Sequence, residues 1–162
     1  MFSIFGLIIW HMDRSAVIEL YRQIWEGEDI PPPASLLRNI KLETAVLKLP
    51  RMPYSILTNL EHADFWQRIW LDKLKGMRAE SFMKDWRVPA DTEWKAVKAS
   101  FLQNFQSAMR LAASEPFEHK MKSDEVAVKT LLQLAIHSSY HLGQVNLLKR
   151  ELRVHTGQPD PN

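Results

Sequence analysis

Nine prolines and five glycines cut the 162-residue chain into stretches whose apolar residues return every three or four positions, with no run of strict alternation longer than a few residues. That period puts apolar side chains on one side of a helix and leaves no strand to pair, so the chain is expected to be all-α. Residues 13–25 form a first helix, with Asp13 or Ser15 as N-cap and Gly27 just beyond its end; it reads as short and peripheral. After Pro31-Pro32-Pro33, residues 34–49 carry Leu36, Leu37, Ile40, Ala45, Val46, Leu47 and Leu49 before Pro50, and read as the first bundle helix. Tyr54 or Ser55 opens the second, which runs to Lys75 with Ile56, Leu57, Leu60, Phe65, Trp66, Ile69, Trp70 and Leu74 as its apolar face. Residues 77–90 mix charges with Phe82, Trp86 and Pro89 and read as a long crossover connection. Asp91 or Thr92 caps a third helix to Ser114, stopped by Pro116; Ser123, with Asp124 and Glu125 in the first turn, starts a fourth that reaches Leu152. Four long helices, each with one face to cover, predict a four-helix bundle with a short extra N-terminal helix.

The length suits one domain, placed at residues 12–155, with an apolar extension at 1–11 and a polar tail at 156–162. The extension lacks a basic n-region and is too short to span a bilayer, and Met12 offers an alternative start, so a cytoplasmic protein without a membrane partner is expected. A formal charge of +2 with no long run of one sign argues against nucleic acid as a partner. The absence of cysteine excludes thiolate ligands, iron–sulfur clusters and a cysteine nucleophile, so any metal must sit on nitrogen and oxygen.

His137 and His141 stand four apart in AIHSSYHLGQVNLL, one above the other on a helix face. Thr130, Leu134, Gln144 and Leu148 share that face, so both imidazoles are directed at the core. Two buried imidazoles need something to satisfy their nitrogens, and one metal ion does so directly. Pairs of this spacing also arise as ordinary hydrogen-bonded core histidines, so a third ligand carries the reading. His62 supplies it, lying mid-helix in ILTNLEHADFWQRIW with Phe65, Trp66 and Ile69 on its own face. His11, His119 and His155 fall in the extension, a charged loop and the polar tail, and are weaker candidates. No Gly-rich phosphate loop and no His-Glu-x-x-His occurs, and Ser138 or Ser139 beside a histidine makes a poor catalytic triad. Six tryptophans are expected to fill the core and line a cavity near the metal.

Two segments, PYSILTNLEHADFWQ at residues 53–67 and HSSYHLGQVNLLKREL at residues 137–152, resemble the DinB-like metal-binding four-helix bundles, in the branch with a Pro-Tyr-Ser opening of helix two. The order of helices from Ala34 to Leu152 follows the same pattern more loosely. The resemblance places metal ligands at His62, His137 and His141, the three residues the helical phases select. It implies a divalent ion, zinc or nickel with iron as a further candidate, and frequent homodimers. It also implies, for some relatives, thiol-dependent transfer or isomerisation with a low-molecular-weight thiol. Related sequences often carry a further histidine in helix one; none occurs between Ala34 and Leu49 here, so no role is carried over to that position.

Three neutral histidines leave a divalent ion with open positions for water, a thiolate or a substrate oxygen, which favours a metal-dependent transferase or hydrolase acting on a small molecule. Since the chain has no cysteine, the thiol must come from outside. Which residues beyond the ligands act catalytically is left open. Gln144 and Tyr140 could assist a ligand or could serve packing alone, and Gly143 is expected to allow close helix approach. The alternative is a non-catalytic module, a ligand-binding or stress-related dimer whose helices the metal staples. Completion of the ligand shell by Glu61 or Asp64 would favour that module.

Overall fold

A computed structural model of the chain describes residues 13–28, 30–78 and 85–157. The expected extension at 1–11, part of the connection at 77–90 and most of the tail at 156–162 lie outside the described residues. Among those described, all regular structure is helical: α1 (Arg14–Glu26), α2 (Pro33–Arg38), α3 (Leu42–Val46), α4 (Ile56–Leu74), a 3-10 turn (Asp91–Glu93), α5 (Trp94–Ala113) and α6 (Asp124–His155). No helix among them is long and apolar enough to cross a membrane.

The helix ends follow local chemistry. Asp13 accepts from Ser15 N–H at 2.8 Å, Ser55 from Thr58 N–H at 3.2 Å and Ser123 from Val126 N–H at 3.3 Å, each satisfying an amide that the first turn leaves unpaired. Gly27 closes α1 in the left-handed region at φ 85°, where a Cβ would also strike Pro32. Before α5, Asp91 sits in the 3-10 turn and Glu93 accepts the Ala90 N–H at 2.7 Å.

Two expectations are corrected. The continuous helix over residues 34–49 is two short ones, α2 and α3. On a single straight helix Ala45 would face about 180° away from Leu36, yet Leu36, Leu37, Ile40, Ala45 and Leu49 are all buried. A break at residues 39–41 turns both apolar groups inward. The carbonyls it frees find side-chain donors: Lys149 Nζ donates to Leu36 O at 3.2 Å and Trp94 Nε1 to Ile40 O at 3.1 Å.

The second correction concerns α1, which is no peripheral appendage. Val17, Tyr21 and Ile24 are buried, Tyr21 packs on Phe105 with ring centroids 5.1 Å apart, and its hydroxyl donates to Leu131 O at 2.9 Å. Arg14 caps the end of α5 through Ala112 O and Ser114 O. α4 packs against both α5 and α6, and α1 packs against the same two helices.

α4 is the innermost element, buried on nearly every side, polar residues included. Most of its polar groups are matched by neighbours: Asp64 accepts from Ser100 and Asn104, Gln67 Nε2 donates to Ser138 at 2.9 Å while its Oε1 has no partner, and Asn59 donates to the carbonyl of His141 at 3.1 Å. These bonds fix the rotation of α4 against α5 and α6, and with it the direction of His62.

Candidate metal centre

His62 on α4 and His137 and His141 on α6 come together, each offering a ring nitrogen, with those atoms all within 4.8 Å of one another. Among the described residues this is the group able to share an ion. His62 is 6 % and His141 2 % exposed, and His137 is half-buried. The i, i+4 spacing on α6 brings His137 Nε2 and His141 Nε2 to 3.2 Å. That separation is close to the edge of a tetrahedron of nitrogens about 2.0–2.1 Å from a zinc ion, roughly 3.3 Å.

The outer nitrogens explain which ones are left to bind. His141 Nδ1 lies 2.7 Å from Asn59 Oδ1, an oxygen that only accepts, so Nδ1 carries the hydrogen and Nε2 keeps its lone pair. His62 Nδ1 lies 3.0 Å from Asp85 Oδ1 and 3.4 Å from the Asp85 carbonyl, which sets the same tautomer. Asp85 is held in turn by the Trp66 indole N–H at 2.7 Å. Two nitrogen lone pairs turned inward at close range repel unless a cation or proton lies between them. His137 Nδ1 is buried with no hydrogen-bond partner.

Electrostatics keeps the α6 pair neutral. Burial, followed by the nearby His62, lowers the pKa of His137 to about 4. Burial, followed by His137 and His62, lowers that of His141 to about 3. At neutral pH both rings are therefore in the form that ligates a metal. The donor set, three imidazoles with two oriented by oxygen acceptors, fits a divalent ion such as zinc or nickel.

Aromatic rings surround the cluster. Trp86 stacks on His62 at 3.8 Å between centroids and on Tyr54 at 5.0 Å, while Trp70 meets His137 edge-on at 5.2 Å. Trp66, Trp70 and Trp86 thus border the centre, while Trp94 is in the core. Glu61 and Asp64 do not join it. Glu61 pairs with Arg87 at 2.9 Å and Arg68 at 3.3 Å, and Asp64 with Arg68 at 3.2 Å beside its Ser100 and Asn104 donors.

Tyr140 is 62 % exposed and touches His141 only with its edge, so it does not turn inward. Gln144 is close enough to oppose the lowering of the His141 pKa, and its own Oε1 is buried without a partner. Gly143 is corrected: a Cβ there would meet nothing within 4 Å, so no helix approaches it. His119 bonds Asp124 at 2.9 Å and takes the Met121 N–H, a loop-fixing role, and His155 is exposed at the end of α6. Sequence reasoning missed Asn59 and Asp85. Asn59 had a signal, an amide one turn before His62 on the same face; Asp85 had none, because it reaches the site from a connection without period.

No family model, no curated protein and no solved structure matches the chain.

Proposed function

We propose that the chain is a DinB-like four-helix bundle, formed by α1, α4, α5 and α6, that holds one divalent metal ion on His62, His137 and His141 and acts on a small molecule at that ion. The observation that carries this reading is the convergence of three ring nitrogens from two helices at one buried point. The bundle assignment is supported by α1 and α4 each packing against α5 and α6.

Zinc or nickel suits the nitrogen donors best, with iron a further candidate. Bound there, such an ion would lower the pKa of a water or an incoming thiol and polarise an electrophile. The chain's own residues do the positioning. Asn59 and Asp85 fix two imidazole tautomers, Trp86 stacks on His62 and restrains its ring, and the aromatic rim limits the access of water. Glu61 and Asp64 are tied into ion pairs away from the cluster, leaving coordination positions for outside ligands. This favours a catalytic centre over a closed staple. The reaction that fits is transfer to or from an external low-molecular-weight thiol.

A homodimer belongs to the same reading. Ile136, Tyr140, Leu147 and Val154 lie on one side of α6 and are 52–79 % exposed, an apolar stripe flanking the open Gly143.

The test is elemental analysis of protein purified without added metal, followed by a screen of low-molecular-weight thiols against small electrophiles. One ion per chain, and turnover lost with chelator and in His137→Ala, is the expected result. Metal-free protein that takes up no divalent ion would overturn the reading. Stoichiometric metal without turnover, and with a large loss of thermal stability on chelation, would assign the staple instead.

A further inference from the structure

We infer that the chain has a second ligand site, for a small organic anion with an apolar body, in the cavity between the α2–α3 elbow and the last turns of α6. The cavity has a volume of about 370 Å³, within the range of small-molecule sites. Its nearest α6 residue, Lys149, is eight positions beyond His141, about 12 Å along the helix, so this site is separate from the histidine cluster.

Among the described residues the cavity is bordered by Lys41, Lys149 and Arg153 and by the carboxylate of Glu43. Lys149 and Arg153 are one turn apart on α6, an arrangement in which like charges disfavour each other. Consistently, burial and then the nearby Arg153 lower the pKa of Lys149. An anion seated between the two would offset their repulsion and favour the charged lysine. The lysine is already held in place: its Nζ donates to Leu36 O at 3.2 Å, the carbonyl released by the end of α2. An ammonium carries three donors, so that bond orients the side chain without exhausting it.

Of the remaining wall, Ile40, Leu47 and Leu152 are aliphatic and Asn39, Thr44 and Thr156 are polar. Ile40 and Leu152 are buried at its base and Leu47, 41 % exposed, stands at its rim. Cationic donors together with three aliphatic side chains suit an aryl or alkyl carboxylate or phosphate better than a bare inorganic ion. The break at residues 39–41 creates the concavity, since a continuous helix there would leave no elbow.

Phenyl phosphate, titrated with chelator present into the isotope-labelled full chain and followed by amide chemical shifts, tests the site. The expected result is a saturable response confined to residues 39–47 and 149–156, weakened several-fold when salt rises from about 50 to 500 mM. Inorganic phosphate is expected to bind more weakly. The double variant Lys41→Gln/Arg153→Gln should bind at least about tenfold more weakly while Lys149 keeps the cap on α2, and His137→Ala should bind normally. No saturable response, a response spread over the surface or centred on residues 137–141, insensitivity to salt, or unchanged affinity in a folded double variant would each overturn the proposal. Failure of the histidine cluster to bind metal would leave these outcomes unaffected.

Discussion

Asp85 and Asn59 decide, for two of the three imidazoles, which ring nitrogen carries hydrogen. An oriented acceptor behind a ligating histidine raises its basicity and holds its ring, and removing one typically costs about 10–100-fold in metal affinity. Because the Asp85 carboxylate is half-exposed, Asp85→Asn should sit at the lower end, a loss of about tenfold, measured by competition with a chromophoric chelator; unchanged affinity would show that Asp85 does not orient His62. The α6 pair makes a second prediction, for metal-free protein. His137 and His141 have folded pKa values of about 4 and about 3, against about 6.5 in an unfolded chain. Between those limits the unfolded chain binds more protons, so stability is fully present above pH 6.5 and is lost as pH falls toward 4 and then 3. From pH 7 to 5 the loss should be about 1–2 kcal/mol once solvent screening is counted, a few degrees in melting temperature with chelator present. A melting temperature flat across that range would contradict the assignment of both rings as neutral.

The helices bearing the histidines were legible because their signals are local. Ser55 and Ser123 announce their caps, and the three-four spacing of apolar residues runs unbroken through α4 and α6. The segment at 34–49 misled for a reason also present in its residues: Leu36 and Ala45 sit on opposite sides of any straight helix, and propensity alone does not reveal that both must be buried. α1 looked minor by length, yet Val17, Tyr21 and Ile24 make a complete apolar face, and the deep partner of Tyr21 is Leu131, 110 positions away. Contacts of that sequence separation leave no local trace. α6 carries the prediction for this scale. If its stripe of Ile136, Tyr140, Leu147 and Val154 is the dimer face, Leu147→Glu should convert the protein to a monomer in sedimentation while leaving metal content unchanged. A dimer that persists would move the interface elsewhere.

As a whole the molecule wraps one buried polar helix, α4, in neighbours that answer most of its polar groups, with Gln67 Oε1 left unpartnered, and the histidine cluster is where several unanswered nitrogens gather. Asn59, Asp64 and Gln67 all find partners across helix boundaries, whereas three imidazoles face one another and His137 Nδ1 finds none. A shared cation would satisfy the nitrogens that face one another, though not His137 Nδ1, and would tie α4 to α6. Binding only to the folded state would then stabilise it by about 2.7 kcal/mol at a free metal concentration one hundred times the dissociation constant. The measurement that bears most directly on this is titration of chelator-treated protein with cobalt(II), read by its visible absorption. The account predicts saturation at one ion per chain, with the intense bands of a four-coordinate nitrogen-rich site, and their loss in folded His62→Ala, His137→Ala and His141→Ala. Saturation that survives any one of these substitutions, or no saturable binding by the intact protein, would contradict it.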